Sequence, residues 1–215
     1  TMTQRAVTDT EAAIAERARN VLPAGGFGNV TFDIVIREGR GGRAWDESGN
    51  EYLDFLLGSG PMLVGHAHPD VTAAVQEQVS KGSTFFVNNE AGIQLAEAIV
   101  DAMACAEKVR FLSSGSEATF YAMRVARAHR QRGKIMKFEG GFHGMNDYAL
   151  MSMAPVRPGN FPQATADTAG IPDSVNDEIL IAPFNDSDTA VSLIREHQDE
   201  LAGVIVEPLQ RMIPP

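Results

Sequence analysis

The sequence predicts an α/β protein: a mostly parallel sheet covered by helices, preceded by a small helix-plus-antiparallel-sheet segment. From about residue 108, short apolar runs alternate with amphipathic helical stretches, the pattern of parallel strands joined by crossover helices. Before residue 60, apolar runs are joined by turn-rich tips, the mark of antiparallel pairing. The length of 215 residues allows a sizeable core, as one domain or one domain with an appendage. The expected division is residues 1–60 for the N-terminal helix and small sheet, and 61–215 for the first part of a larger α/β domain.

Taken in order, "TDTEAAIAERARNVL" offers an N-cap among Thr8 to Thr10 and then Ala, Ile and Leu at helical spacing, a helix over about 9–22. "PAGGFGN" breaks it, "VTFDIVIREG" alternates as a strand, and "GRAWDESGNEYLDFLLG" is a hairpin about Glu47-Ser48-Gly49-Asn50. "HPDVTAAVQEQVSKG" and "NEAGIQLAEAIVDAMA" are amphipathic helices, the first with Pro69 near its start. Then follow strand "KVRFLS", helix "SEATFYAMRVARAHRQRG", strand "KIMKFEG" and strand "DYALMSM". Residues 154–177 are rich in Pro, Gly, Ala, Thr and Asp, and read as a long functional or mobile loop. Strand "EILIAP", helix "SDTAVSLIREHQDE" and strand "GVIVEP" complete the pattern, which reads as the front part of a longer domain.

A formal charge of -10 repels nucleic-acid backbones and anionic lipid, so neither is an expected partner. Cys105 is the only cysteine, which excludes an internal disulfide framework and fits a reducing compartment. No apolar run reaches membrane-span length and the first residues hold no signal-peptide core, so a soluble, cytoplasmic protein is expected.

Four stretches carry chemistry. Ser114-Gly115-Ser116-Glu117 is at once an S-x-x-E capping box and a glycine turn entering a helix, where the N–H groups of Ser116, Glu117 and Ala118 favour a dianion. Locally the two readings, cap and phosphate seat, stay open. "KFEGGFHG" holds Phe142 and His143 between glycines at a strand end, either to stack on a flat ligand or as a core aromatic and a turn histidine. "VIVEP" sets Glu207 beyond a β-branched strand, to bond a ligand's polar edge or to cap a loop. His66 and His68 in "GHAHP" have no further ligand at metal spacing, so a structural turn and no metal are expected.

The ordered set "FLSSGSEATFYAMRVAR", "KIMKFEGGFHG" and "VIVEP", after "WDESGNEYLDFLLGSGPMLVGHAHPDV", resembles the class III (subgroup II) pyridoxal-phosphate aminotransferases, nearest their glutamate-1-semialdehyde aminomutase-like branch. The resemblance implies the pyridoxal-phosphate transferase type I fold, here incomplete, and pyridoxal 5'-phosphate as cofactor. It implies that Ser114, Gly115 and Ser116 hold the phosphate, that Phe142 stacks on the ring beside His143, and that Glu207 lies near the cofactor's polar edge or the substrate. By the same resemblance, Ser59, in the Gly58 to Pro61 segment, would lie near the substrate side of the cleft. A small-molecule amino donor, a keto acceptor and a homodimer are implied as partners.

In that family the Schiff-base lysine and the aspartate pairing with the pyridine nitrogen follow the Glu-Pro strand, so both are expected beyond Pro215, leaving no catalytic residue in this chain. Lys81, Lys108, Lys134 and Lys137 match no lysine motif, and Lys134 and Lys137 read as solvated strand ends. The 215-residue chain by itself is accordingly expected to be inactive. Aminomutases of the branch often carry an arginine after the N-terminal glycine turn, where this sequence has Phe27 and Asn29. This leaves semialdehydes, β-amino acids, ω-amino acids and amines open as substrates, with Phe27 as a candidate contact. Arg211 suits either a substrate carboxylate or a surface loop. The competing function is a non-catalytic cofactor-binding or interaction module, while a nucleotide-binding domain lacks its glycine motifs.

Overall fold

Thr8 opens the first helix, its Oγ1 accepting the Glu11 N–H at 3.3 Å, and α1 runs over Asp9–Val21. The structure, a computed structural model, describes residues 5–27, 33–154 and 160–210. The chain divides into two units, Thr1–Ile93 and Gln94–Pro215.

In the first unit, β1 (Ile36–Arg40), β2 (Arg43–Asp46) and β3 (Glu51–Leu53) form an antiparallel sheet in that order, with β2 and β3 joined at the expected Glu47–Asn50 turn. Much of the stretch expected as the first strand precedes β1, and residues 28–32 lie outside the described residues. A polar network fastens α1 to the sheet. Asp46 Oδ2 accepts from Tyr52 Oη at 2.6 Å, Asn50 Nδ2 at 2.8 Å and Arg5 Nε at 3.2 Å. Arg5 also pairs with the buried Glu11, which accepts the Val35 N–H at 2.9 Å. Burial would raise the Asp46 carboxyl, but the bonds from Tyr52, Asn50 and Arg5 together hold it far below the usual carboxylate range. His66 Nε2 lies 2.7 Å from Asp54 Oδ2, and Asp54 Oδ1 accepts the Leu56 and Leu57 N–H groups, so this histidine belongs to a turn network. Helix α2 (Pro69–Val79) starts on its proline, and α3 (Glu90–Ala102) carries the division between the units.

The second unit is built on a parallel sheet ordered β5-β4-β6, with β4 Lys134–Phe138, β5 Ile179–Ala182 and β6 Leu201–Val204. Strand alternation splits the core between its two faces. Ile135, Ile179, Ile181 and Ala202 cluster with Met123 of α4 (Gly115–Arg130) and with Ala149 and Met151. Met136, Leu180, Ala182 and Leu201 cluster with Ala190 and Leu193 of α5 (Ser187–Glu196). Asp186 caps α5, its Oδ1 accepting the Thr189 N–H at 3.0 Å.

Two expected strands are not strands. Residues 108–113 pair with no strand among the described residues, and a β-strand without a neighbour has no ladder to define it. "DYALMSM" winds into a turn because Asn146 captures it: its backbone oxygen accepts the Leu150 N–H at 3.0 Å and its Oδ1 accepts the Ala149 N–H at 3.1 Å. The 154–177 stretch reaches a 3-10 helix at Asp173–Glu178 and touches β5 through a Gln163–Leu180 bridge.

Candidate functional site

The site in the second unit grows from the first turn of α4. Ser114 has extended backbone, its Oγ accepts the Glu117 N–H at 3.2 Å, and its carbonyl accepts the Ala118 N–H at 3.0 Å. The first N–H groups of a helix have no intrahelical partner. Of the three expected to face an anion, those of Glu117 and Ala118 are therefore taken by Ser114, leaving without a partner among the described residues those of Ser116 and the preceding Gly115. Among the described residues, nothing lies within 4 Å of where a Cβ on Gly115 would stand. The Ser114 cap and the N–H groups of Gly115 and Ser116 thus do not compete for the same donors.

The turn after β4 is clamped onto this helix end. Met145 N–H donates to Ser116 Oγ at 3.0 Å, and Thr119 Oγ1 donates to the His143 carbonyl at 2.5 Å. Gly144, at φ +94°, lies so close that a Cβ there would stand 2.6 Å from Ser116 Cα. From the β6 side, Glu207 Oε2 accepts the Phe142 N–H at 2.8 Å. Phe142, half-buried, thus sits on a turn held at both ends.

His143 is 5% exposed, and its Nε2 is buried without a hydrogen-bond partner among the described residues. Burial first, then the nearby Lys137 cation, lowers its pKa to about 4 against the opposing pull of Glu207, so the ring is neutral at pH 7. Gln210 lies alongside: its Nε2 donates to the Glu139 carbonyl at 2.9 Å, while its Oε1 is buried and unpaired among the described residues. A Cβ on Gly141 would stand 3.0 Å from His143 Nε2 and 3.7 Å from Gln210 Nε2, so a side chain there would crowd the His143 ring.

The reading of Lys137 as a solvated end is corrected, whereas Lys134, the first residue of β4, stays partly open to solvent. Lys137 is fully buried, its Nζ donating to the Ala149 carbonyl at 2.9 Å and the Met151 carbonyl at 2.6 Å. Burial pushes it down to about 8, with Asp167 and Glu207 partly restoring its charge. Lys134 Nζ donates to the Asp177 carbonyl at 3.0 Å. The missed signal was alternation: Lys137 falls two residues after Ile135, on the same inward face.

Ser114, Gly115, Ser116, Phe142, His143 and Glu207 are thus gathered in the second unit. Phe27 and Ser59 belong to the first unit, Phe27 98% exposed and Ser59 exposed at φ +66°. Asn29 and Arg211 lie outside the described residues. Thr119 and Gln210 are the members sequence reasoning did not single out, and Lys137 is the one it placed in solvent.

The family model for class-III aminotransferases matches residues 26–212. A glutamate-1-semialdehyde 2,1-aminomutase of Methanothermobacter thermautotrophicus is 42% identical over 197 residues, 90% of this chain and 46% of that protein. The crystal structure of an omega-transaminase from Sphaerobacter thermophilus superposes with TM-score 0.88 at 38% identity, covering 94% of this chain and 48% of the other. A transaminase solved with PLP bound gives TM-score 0.88 at 32% identity, covering 98% and 50%. The chain spans about half the length of these relatives.

Proposed function

We infer the activity from one premise: the chain belongs to the class-III aminotransferase family. We propose that the complete protein is a pyridoxal-phosphate-dependent aminotransferase or aminomutase, and that residues 61–215 are the first part of its cofactor-binding large domain. The observation that supports this reading is the clamp of the Phe142–Met145 turn onto Ser116, which holds the first turn of α4, the proposed phosphate seat, against the aromatic-His turn.

The residues present fit the cofactor. Among the described residues nothing crowds Gly115, and the N–H groups of Gly115 and Ser116 stand at the positive end of a 16-residue helix. The Ser116 hydroxyl accepts from Met145, which leaves its own proton to donate to phosphate. Phe142 supplies the stacking face, and Glu207 fixes its backbone. Neutral His143 keeps an unpaired nitrogen beside that turn. Pyridoxal phosphate supplies the electron sink through which an amino group passes between carbon skeletons. Lys137 does not serve as the reacting amine, because its Nζ is buried and committed to two carbonyls. Phe27 and Ser59 are proposed on the substrate side, with an amino acid or amine as donor, a keto or aldehyde compound as acceptor, and a homodimer as the working form.

The test is titration of the full-length apoprotein with pyridoxal phosphate, followed by a panel of amino donors. Micromolar binding weakened about tenfold or more by Ser116→Ala, with amino transfer from at least one donor, is the expected result. Tight binding without transfer from any donor would favour the non-catalytic module, and no binding would remove the cofactor assignment.

A further inference from the structure

Thr119 has one hydroxyl proton and three carbonyls within reach. Gly115 O lies at 3.0 Å, Ser116 O at 3.1 Å and His143 O at 2.5 Å. A threonine within a helix ordinarily bonds back to its own preceding turn. Here the shortest contact leaves the helix for the turn beyond β4. Two residues past that carbonyl, Met145 N–H meets Ser116 Oγ at 3.0 Å, and Asn146 Nδ2 reaches Ser116 O at 3.4 Å. The absent side chain of Gly144 allows the two backbones to lie this close.

A serine hydroxyl has one proton and can point it several ways. An N–H donor on the oxygen removes some of them, because the proton cannot lie along the line of the incoming bond. The Met145 N–H therefore biases Ser116 toward donating away from the turn. The direction of that proton depends on the placement of Met145, and Thr119 fixes the carbonyl two residues before it.

We propose that Thr119 is a positioning residue for anion recognition: by holding the His143 carbonyl against α4, it sets Met145 N–H on Ser116 Oγ and so aims the Ser116 proton at the phosphate. The inference rests on the cofactor reading above, in which Ser116 meets the 5'-phosphate.

The experiment uses the full-length apoprotein and two ligands, pyridoxal 5'-phosphate and pyridoxal, which differ only in the phosphate. Because free pyridoxal also closes to a hemiacetal, it is the change in the ratio of their dissociation constants from wild type to variant that reports the phosphate contact. In Thr119→Ala this ratio is expected to fall about tenfold, the loss of a charge-assisted hydrogen bond's alignment, whereas Thr119→Ser keeps it within about twofold of wild type. Alanine is the best helix former, so the alanine variant should keep its fold. If its melting temperature drops, Thr119→Val repeats the measurement with the shape retained. A general loosening of the site would weaken both ligands equally and leave the ratio unchanged, which would overturn the proposal. Wild-type protein that binds both ligands alike would instead bring down the cofactor reading, and the inference with it.

Discussion

Glu207 Oε2 accepts the backbone N–H of Phe142 at 2.8 Å, so a carboxylate beyond β6 holds the turn beyond β4. The two residues are 65 positions apart, and their pairing draws together two adjacent strand ends of the parallel sheet. In Glu207→Ala this charge-assisted bond is lost, with an expected destabilisation of about 2 kcal/mol by urea unfolding and about tenfold weaker pyridoxal-phosphate binding. Glu207→Gln keeps a carbonyl acceptor and should lose roughly half as much. An alanine variant equal to wild type in both measurements would show that the turn holds itself.

The buried bases give the second unit a pH signature. His143 ionises near 4 in the folded chain, below the usual 6.5, so between those values the unfolded chain holds more protons. Stability should therefore fall as pH drops from 6.5 toward 4, by roughly 2 kcal/mol after solvent screening. His143→Gln should show a shallower acid slope of urea midpoint against pH, and the imidazole resonances of the wild type should titrate near pH 4.

Lys137 acts at the alkaline end. Its ammonium is pushed down to about 8 by burial, while in the unfolded chain it holds its proton to 10.5. The unfolded chain again binds more protons, so stability should rise as pH climbs from about 8 toward 10.5. Lys137→Met should remove this rise, and a variant retaining it would locate the effect elsewhere.

Asp46→Asn replaces an acceptor-only group with one that also donates, facing Arg5, Asn50 and Tyr52. Arg5 is partly open to water, so a loss of about 1–2 kcal/mol is expected in urea unfolding. Wild type should lose this contribution as pH falls below the ordinary carboxylate range, since the folded carboxyl is the stronger acid. The asparagine variant should show a shallower acid slope there, with Asp54 and the other depressed carboxyls still contributing.

Gly144→Ala should be the most disruptive small change in the site. Its Cβ would stand 2.6 Å from Ser116 Cα, and φ of +94° is unfavourable for any side chain. About 2–3 kcal/mol of stability should be lost, measured as a lower urea midpoint at unchanged m-value.

Local chemistry made much of this legible in sequence. Ser114 as cap of α4, the Glu47–Asn50 hairpin tip and the apolar runs of β4 and β5 are decided by neighbouring residues, and they stand where expected. What needed the folded chain depends on distant partners. Residues 108–113 have strand composition but no ladder, and the Asp147–Met153 run has strand composition but is wound by Asn146. β6 begins at Leu201, two residues before the expected glycine, because Leu201 pairs with Lys134. Charge concealed Lys137: a lysine in a strand suggests water, and only its position two after Ile135 signalled the interior. For the site, the three motif segments were legible, whereas the links among Thr119, Met145, Ser116 and Glu207 join residues up to 65 positions apart.

The seating of Gly144 on Ser116 bears on recombination between related enzymes. A chimaera whose junction falls between Thr119 and His143 takes the two halves of this contact from different parents. A parent with any side chain at 144, or a bulkier residue at 116, would leave the hybrid with a collision at its centre, however well its individual helices and strands are preserved. Crossovers before Ser114 or after Asn146 keep the pair together, and functional hybrids should be enriched at those junctions.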